Sequence, residues 1–547
     1  VNAAILFEPD GYLTTGPKLM GRQAAGDGFL RALVKHRGEA PLVAYTPRKR
    51  SAEAFRDRVA ELDAGAAIRW ISGQRLPELE ASGVLYRPDH ALGISARARL
   101  RAGVNRYALC GVTHTLATSG AMELLTDYAT APLMPWDALV CTSTAAVQVV
   151  ERALDAQEAY LAWRLGAHAR APRPQLRLIP LGVHAEDFAT TPDQRAAARR
   201  LLGLADDEVA VLFAGRLSIN GKANPYPMYA ALQRTAAATG AKIVLVHAGQ
   251  FFNGAIEGAF RSGAARFAPD VRAVFLNGKD AALYGQSWRA ADIFLSLSDS
   301  IQETFGITPV EAMASGLPAV VTDWNGYKDT VRDGVDGYRI RTWQPQPGAG
   351  GAAARDYEVE TSDYEMLLAR TSLAVAADLD ELTARLTTLV IDSDLRRRMG
   401  EAGRARVRER FDWAVVFPQY QALWAEQDER RRAAGADATR GAPGHAPAWP
   451  DPYAAFAHYP SSHVTTATRV RPSEGASVAG YLELTTHPFL MHWRLTPEVA
   501  ELVFGALAAG PASIAAVAEA TKIPALTLTE VVARLAKIGL VTLEDGR

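Results

Sequence analysis

The feature that most constrains this chain is an alternation, met twice, of short apolar runs with amphipathic stretches. From the N-terminus it reads AAILFEP, GFLRALVKH, PLVAYTP, a helical stretch over 51–63, and AIRWI. Strand, helix, strand in that rhythm is the pattern of a parallel sheet covered on both faces. It resumes in VAVLFAG (209–215), a helix near 228–238, KIVLVHAG (242–249), RAVFLNG (272–278), DIFLSLS (292–298) and PAVVTDW (318–324). Two α/β sheets are therefore expected. Between them QLRLIPLGVHAEDF (175–188), with its Pro, Gly and polar residues, is the natural hinge. At 547 residues and 48% hydrophobic, the chain has apolar material for two or three domains.

Lys and Arg number 59 and Asp and Glu 60, a formal charge of −1. That balance excludes bulk attraction to nucleic acid or anionic lipid, so any charged ligand must be held locally. Cys110 and Cys141 are too few for a disulfide framework or a cysteine metal site. Both sit in strand-like runs and read as reduced core thiols, which fits a cytoplasmic chain. The start VNAAILFEP lacks a basic flank, and nowhere do about 18 apolar residues run together. Neither a signal peptide nor a transmembrane segment is expected, and peripheral membrane contact stays open.

Several stretches break the alternation. RTWQPQPGAGGAAARDYEVETSDYEML (341–367) is too long for an ordinary connection and reads as an insertion, a candidate flap. The basic runs Arg396 to Arg398 and Arg430 to Arg432 lie in helical stretches and are expected to be solvated faces. Residues 433–477, rich in Ala, Pro, Gly and His, read as a linker lying over the core through Trp449, Tyr453, Phe456 and Tyr459. Beyond it, strand-like VAGYLELTTHPFLMHWRL (478–495) precedes three helical stretches and a final strand, an order similar to a winged-helix module over 478–547. Its would-be recognition helix offers only Arg534 and Lys537 against Glu530, which is weak for DNA. Protein or peptide docking, or dimerisation, is the expected role.

The chemistry concentrates in SIQETFGITPVEAMASGLPAVVTDWNGYKDTVRDGVDGY (300–338). Gly306 lets backbone amides approach a ligand, and a helix entered near Thr308 and Pro309 points unpaired N–H groups and a partial positive charge at it, which favours a phosphate. Glu311, one turn into that helix, can accept two hydrogen bonds from a vicinal diol, and Glu303 can meet sugar hydroxyls. Alternatively, Thr308 and Glu311 have capping-box spacing and Glu303 is merely solvated. Arg216 and Lys222 follow a strand in the same sheet. As a pair at the C-terminal ends of parallel strands they converge on the crevice where open α/β sheets bind ligands, and can neutralise a diphosphate.

Arg216, Lys222, the pair Glu303 and Glu311, and FGITPVEAMASGLPAVVTDWNG together resemble the retaining nucleotide-sugar glycosyltransferases of family 4. IPLGVHAEDF (179–188), SDLRRRMGEAGRARVRERFDW (393–413) and MGRQAAGDGFLRALVKHRGEAPLVAYTP (20–47) are similar to further blocks of that family. The resemblance covers roughly residues 1–430 and implies an α/β GT-B fold: two Rossmann-like domains, 1–186 and 187–412, facing a central cleft. A helix over 413–432 would return to the first domain. It further implies that Arg216 and Lys222 bind the donor diphosphate, that backbone from Phe305 through Gly306 to Ile307 adds amide donors, that Glu311 holds the ribose, and that Glu303 and His114 meet the transferred sugar. Gly21, with Gly16 and Arg22, would border phosphate and acceptor. The chain departs from the family at Ala223, where glycine is usual, and in a longer first loop.

The activity so implied is transfer of a sugar, with retained configuration, from a UDP- or GDP-sugar to a glycan, lipid, metabolite or peptide acceptor, without cofactor or catalytic metal. Other readings of the same fold are a phosphorylase or epimerase, or a binding or regulatory protein acting through residues 478–547.

Overall fold

The apolar runs become strands buried on both faces, because helices pack above and below them. The computed structural model describes residues 2–14, 21–166, 171–435, 437–486 and 495–544. The chain divides into two compact units, Val1–Pro447 and Ala448–Arg547. The first unit holds two parallel sheets. One is built from β1 (Ala4–Leu6), β2 (Leu42–Tyr45), β3 (Ile68–Ile71), β4 (Val84–Tyr86), β5 (Ala108–Val112), β6 (Ala138–Cys141) and β7 (Gln175–Leu178), in the order β3-β2-β1-β4-β5-β6-β7. The other is built from β8 (Glu208–Ala214), β9 (Lys242–Gly249), β10 (Arg272–Asn277), β11 (Ile293–Ser296), β12 (Ala319–Thr322) and β13 (Gly337–Ile340), in the order β10-β9-β8-β11-β12-β13. Both orders reverse once, between β1 and β4 and between β8 and β11. At such a reversal the loops leave in opposite directions and a crevice opens at the strands' carboxyl ends.

The central strands are apolar throughout because neither face meets water: every residue of β4, β5, β6, β11 and β12 is buried. Cys110 and Cys141 lie in two of these strands as free, buried thiols. The chain crosses between the lobes twice, and the crossings are bonded to each other. Val183 N–H donates to Phe411 O at 2.8 Å and Trp413 N–H donates to Val183 O at 3.0 Å. Trp413 sits so close to this junction that a Cβ at Gly182 would lie 2.5 Å from its ring. The helix Trp413–Ala433 then packs Phe417, Tyr420 and Trp424 around Phe29 and Tyr86 of the first lobe. One of its basic residues departs from expectation: Arg431 is buried rather than solvated, because its guanidinium bonds Asp428 and the Asn105 carbonyl.

The 341–367 insertion is folded and longer than expected. Its base is the antiparallel pair β14 (Thr342–Trp343) and β15 (Ala376–Ala377), which encloses helices Gly351–Glu358 and Tyr364–Ser372.

In the second unit, Trp449, Tyr453, Phe456 and Tyr459 are 51–72% exposed, so the aromatic residues of the expected linker do not pack into a core. The linker also ends earlier than expected. β16 (Arg469–Pro472) is the middle strand of an antiparallel sheet, flanked by β17 (Ala512–Ser513) and β18 (Val541–Glu544). The strand-like run at 478 begins as a helix, Val478–Leu484, capped by Ser477. Helices Pro497–Ala506, Ile514–Thr521 and Ala525–Lys537 follow. Val470, Val503, Ile514, Leu528, Val532 and Leu535 close their core. A cut at 478 therefore removes the central strand from its own sheet. Among the described residues no helix is long and apolar enough to cross a membrane.

Candidate active site

The second lobe's crevice collects the residues singled out from the sequence. Lys222, in the loop after β8, donates through Nζ to Glu303 Oε2 at 2.8 Å, to the Tyr327 hydroxyl at 3.3 Å and to Thr308 Oγ1 at 3.5 Å. Burial by itself would lower the lysine's pKa, but Glu303 and then Tyr327 outweigh it and raise the pKa above its ordinary value. Burial likewise pushes the Glu303 carboxyl up; Lys222 chiefly, with Arg216 and the Gly306 amide, holds it below the usual range. Both members of the pair are therefore charged. Arg216 is exposed beside them.

The helix Ile307–Ser315 begins one residue before the expected entry, with Gly306 as its N-cap at φ 79° and no side-chain cap. Thr308 and Glu311 thus form no capping box, and Thr308 serves Lys222 instead. Gly306 is required twice over: its φ is left-handed, and a Cβ there would lie 1.9 Å from the Tyr327 ring. Tyr327 was not legible as a site residue although it lies in the motif, in GYKD. Its hydroxyl also pairs with Ser296 at 3.0 Å, so it fixes Lys222 from below. Asn325, at φ 39°, donates to the Glu303 carbonyl at 2.9 Å and braces the loop. Phe305 points into the core against Phe411, leaving only its backbone for a ligand.

Glu311 differs from Glu303. Its Oε2 is buried without a hydrogen-bond partner among the described residues, and burial pushes its carboxyl up to about 7. Asp299, which carried no signal in the sequence, behaves alike: burial raises it to about 7, Oδ2 accepts from Asn224 N–H at 3.3 Å, and Oδ1 has no partner among the described residues. Buried acceptors left empty are costly, so such oxygens are where a ligand's hydroxyls gain most.

In the facing crevice Arg87, just after β4, pairs with Asp89 at 2.6 Å. His114 follows β5, and burial lowers its pKa to about 4. Its Nε2 donates to the Pro88 carbonyl at 2.9 Å, leaving the Nδ1 lone pair for a hydroxyl. His90 is buried nearby. Arg22 is paired with Asp10, a partner the sequence did not suggest. Among the described residues a Cβ on Gly21 would meet nothing within 4 Å, so none of them demands glycine there. The close approach in that helix belongs to Gly26, whose Cβ would lie 1.9 Å from the Gly11 carbonyl. Gly16 lies outside the described residues. The lobes meet where Ser143 Oγ donates to the Thr304 carbonyl at 2.6 Å and Thr144 N–H donates to Asp329 at 2.6 Å. Among the described residues no three His, Cys, Asp or Glu side chains are grouped to hold a metal ion.

Comparison with known proteins agrees with this architecture. Residues 194–347 match the family model described as Glycosyl transferases group 1. The chain is 32% identical over 221 residues to a D-inositol 3-phosphate glycosyltransferase of Geodermatophilus obscurus, covering 38% of this chain and 46% of that protein. It is 28% identical over 247 residues to the phosphatidyl-myo-inositol mannosyltransferase of Mycobacterium tuberculosis, covering 45% and 53%. The chain thus spans about half the length of the curated relatives it matches. Among solved structures it is similar to Anabaena HepE in complex with UDP, with TM-score 0.52 at 17% identity over 77% of this chain and 99% of that one. A glycosyltransferase from Rickettsia africae gives TM-score 0.50 at 11% identity over 78% and 99%. The fold is α/β GT-B, and the match to the Glycosyl transferases group 1 model falls within its second lobe.

Proposed function

We propose that the chain is a retaining glycosyltransferase moving a sugar from a nucleoside-diphosphate sugar to a hydroxyl-bearing acceptor. One observation carries this reading: the charged Lys222–Glu303 pair, fixed by Tyr327 beside a glycine-led helix tip, lies at the reversal of the second sheet. Lys222 and Arg216 take the diphosphate and stabilise charge that grows on it as the sugar–phosphate bond breaks. Glu303 receives sugar hydroxyls, His114 accepts another through Nδ1, and the empty Oε2 of Glu311 takes the ribose diol. The leaving phosphate oxygen accepts the acceptor's hydroxyl proton on the face where the new glycosidic bond forms, so configuration is retained without a protein nucleophile. Two side-chain cations and helix amides supply the charge stabilisation, so turnover is expected to survive EDTA. Catalysis is then largely positioning.

HepE binds UDP and the relatives named above act on inositol derivatives, so UDP donors and cyclitol-bearing acceptors head the test. The chain is incubated with UDP-, GDP- and ADP-sugars and each acceptor class, reading nucleotide by mass spectrometry and product anomer by NMR. Release of no nucleotide, or an inverted anomer, overturns the reading. Consumption of a glycoside with inorganic phosphate alone assigns a phosphorylase. For the second unit we propose docking of a protein or peptide, with α-helix Ala525–Lys537 poorly charged for DNA because Arg534 pairs with Glu530. Deleting 448–547 tests it: lost acceptor turnover with intact donor hydrolysis supports docking, and loss of both assigns a structural role.

A further inference from the structure

The insertion between β13 and the end of β15 is not part of either sheet, yet it reaches both lobes. It is ordered by its own contacts: Asp363 caps the helix Tyr364–Ser372, Arg370 pairs with Asp356 at 2.8 Å, and Leu368 is fully buried. From its first helix, Tyr357 places its hydroxyl 3.1 Å from Ser119 Oγ and 3.3 Å from Ser119 N, at the start of the first-lobe helix Ser119–Thr126. From its second, Tyr364 donates to Gln302 Oε1 at 3.4 Å, one residue before Glu303. The two rings lie 6.4 Å apart at 43°. Both are half-buried, and the charge of Arg216 is felt at the Tyr364 phenol.

Position in the sheet says which end of a ligand they face. The nucleotide-facing residue Glu311 lies beside Tyr284, on the helix that follows β10 at one edge. The insertion arises from β13, at the opposite edge, and overhangs the loop of Gln302 and Glu303. A sugar ring has an apolar C–H face and a hydroxyl rim, which suits a phenol with an apolar face and a polar tip. The phenol contacts, at 3.1–3.4 Å, are longer than the usual O–H···O distance of about 2.7–2.8 Å, so a ligand hydroxyl can replace them at small cost.

We propose that Tyr364, with Tyr357 beside it, walls the sugar end of the donor pocket and is a specificity-determining residue for the transferred sugar. This rests on the glycosyltransferase reading above. The test is calorimetric titration of the full chain with UDP, GDP and ADP and with their glucose and mannose conjugates. Tyr364→Ala is expected to weaken the conjugate about 10-fold, and Tyr364→Phe about 3-fold, while the bare nucleotide stays within about twofold. Equal weakening of nucleotide and conjugate overturns the proposal, because the residue then acts through Arg216 on the diphosphate. An unchanged conjugate overturns it as well. If Tyr364→Ala has melted at the titration temperature, Tyr364→Phe, which keeps the ring, decides by the same ratio. Failure of the unmodified chain to bind any of the three nucleotides overturns the glycosyltransferase reading and this proposal together.

Discussion

The two crevices of the first unit occupy the same place in similar sheets but enclose their charged pairs to different degrees. In the second lobe a buried lysine and a half-buried glutamate form a charged pair braced by Tyr327, Thr308 and Asn325. In the first, Arg87 pairs with a more exposed Asp89, His90 is buried and His114 half-buried with their pKa values lowered, and the ion pair Arg22–Asp10 stands in solvent. A buried pair is stable only with good geometry and further hydrogen bonds, so its neighbours are narrowly specified. Neutral imidazoles ask less of their surroundings. The second-lobe motif is consequently dense in the sequence, whereas the first lobe offers only His114 and the scattered Gly16, Gly21 and Arg22.

That contrast can be broken experimentally. The largest effect is expected from Lys222→Ala: turnover falls about 100- to 1,000-fold, since the diphosphate loses a buried cation. Unlike a surface lysine, it also leaves Glu303 without its partner, so stability drops by about 1–3 kcal/mol; chemical denaturation measures this, and unchanged turnover removes Lys222 from the site. Gly306→Ala forces a Cβ against Tyr327 in a left-handed backbone. A loss of about 3 kcal/mol is expected, with nucleotide binding lost beyond what stability explains.

A subtler difference separates the two glutamates. The folded Glu311 carboxyl holds its proton up to about 7 against 4.5 for the free group. The folded state therefore binds more protons in that window, and stability falls as pH rises from 4.5 to about 7, by about 3 kcal/mol in total for this group. Glu311→Gln should flatten that part of a plot of melting temperature against pH; the slope from Asp299 remains. A ribose diol donating to Glu311 favours the ionised form, so nucleotide binding at pH 7 should release up to about half a proton, read by calorimetry in buffers of different ionisation enthalpy. The smallest effect concerns His114. With its pKa lowered to about 4 it should contribute no step to a rate profile between pH 5 and 8, and His114→Asn should run parallel to the unmodified chain. A step lost in the variant would show that the imidazole ionises in the working site.

Legibility followed local physics. KIVLVHAG became β9 at its full length and the other quoted runs of the second sheet fell within a few residues of their strands, because a doubly covered strand must be apolar along its whole length. Lys222, Glu303 and Glu311 stood out in the sequence because charged residues beside such strands have few structural uses. Tyr327, Asp299, Tyr357 and Tyr364 did not, since a tyrosine or an aspartate in a loop looks alike whether it faces solvent or a lysine. The boundary at 478 failed for a related reason: the four-residue β16 has a short apolar signal and pairs with strands more than forty residues away.

The sequence by itself determined the two parallel sheets, the crossing between them and the charged cluster beside the second sheet, because these depend on periodicity and on which residue types a helix tip can use. Only the tertiary structure decided that Glu303 is paired and Glu311 empty, that Gly306 is dictated by Tyr327, and that an insertion from the sheet's far edge leans over the site. Those outcomes depend on burial and on distances between segments remote in the chain, which no local pattern records.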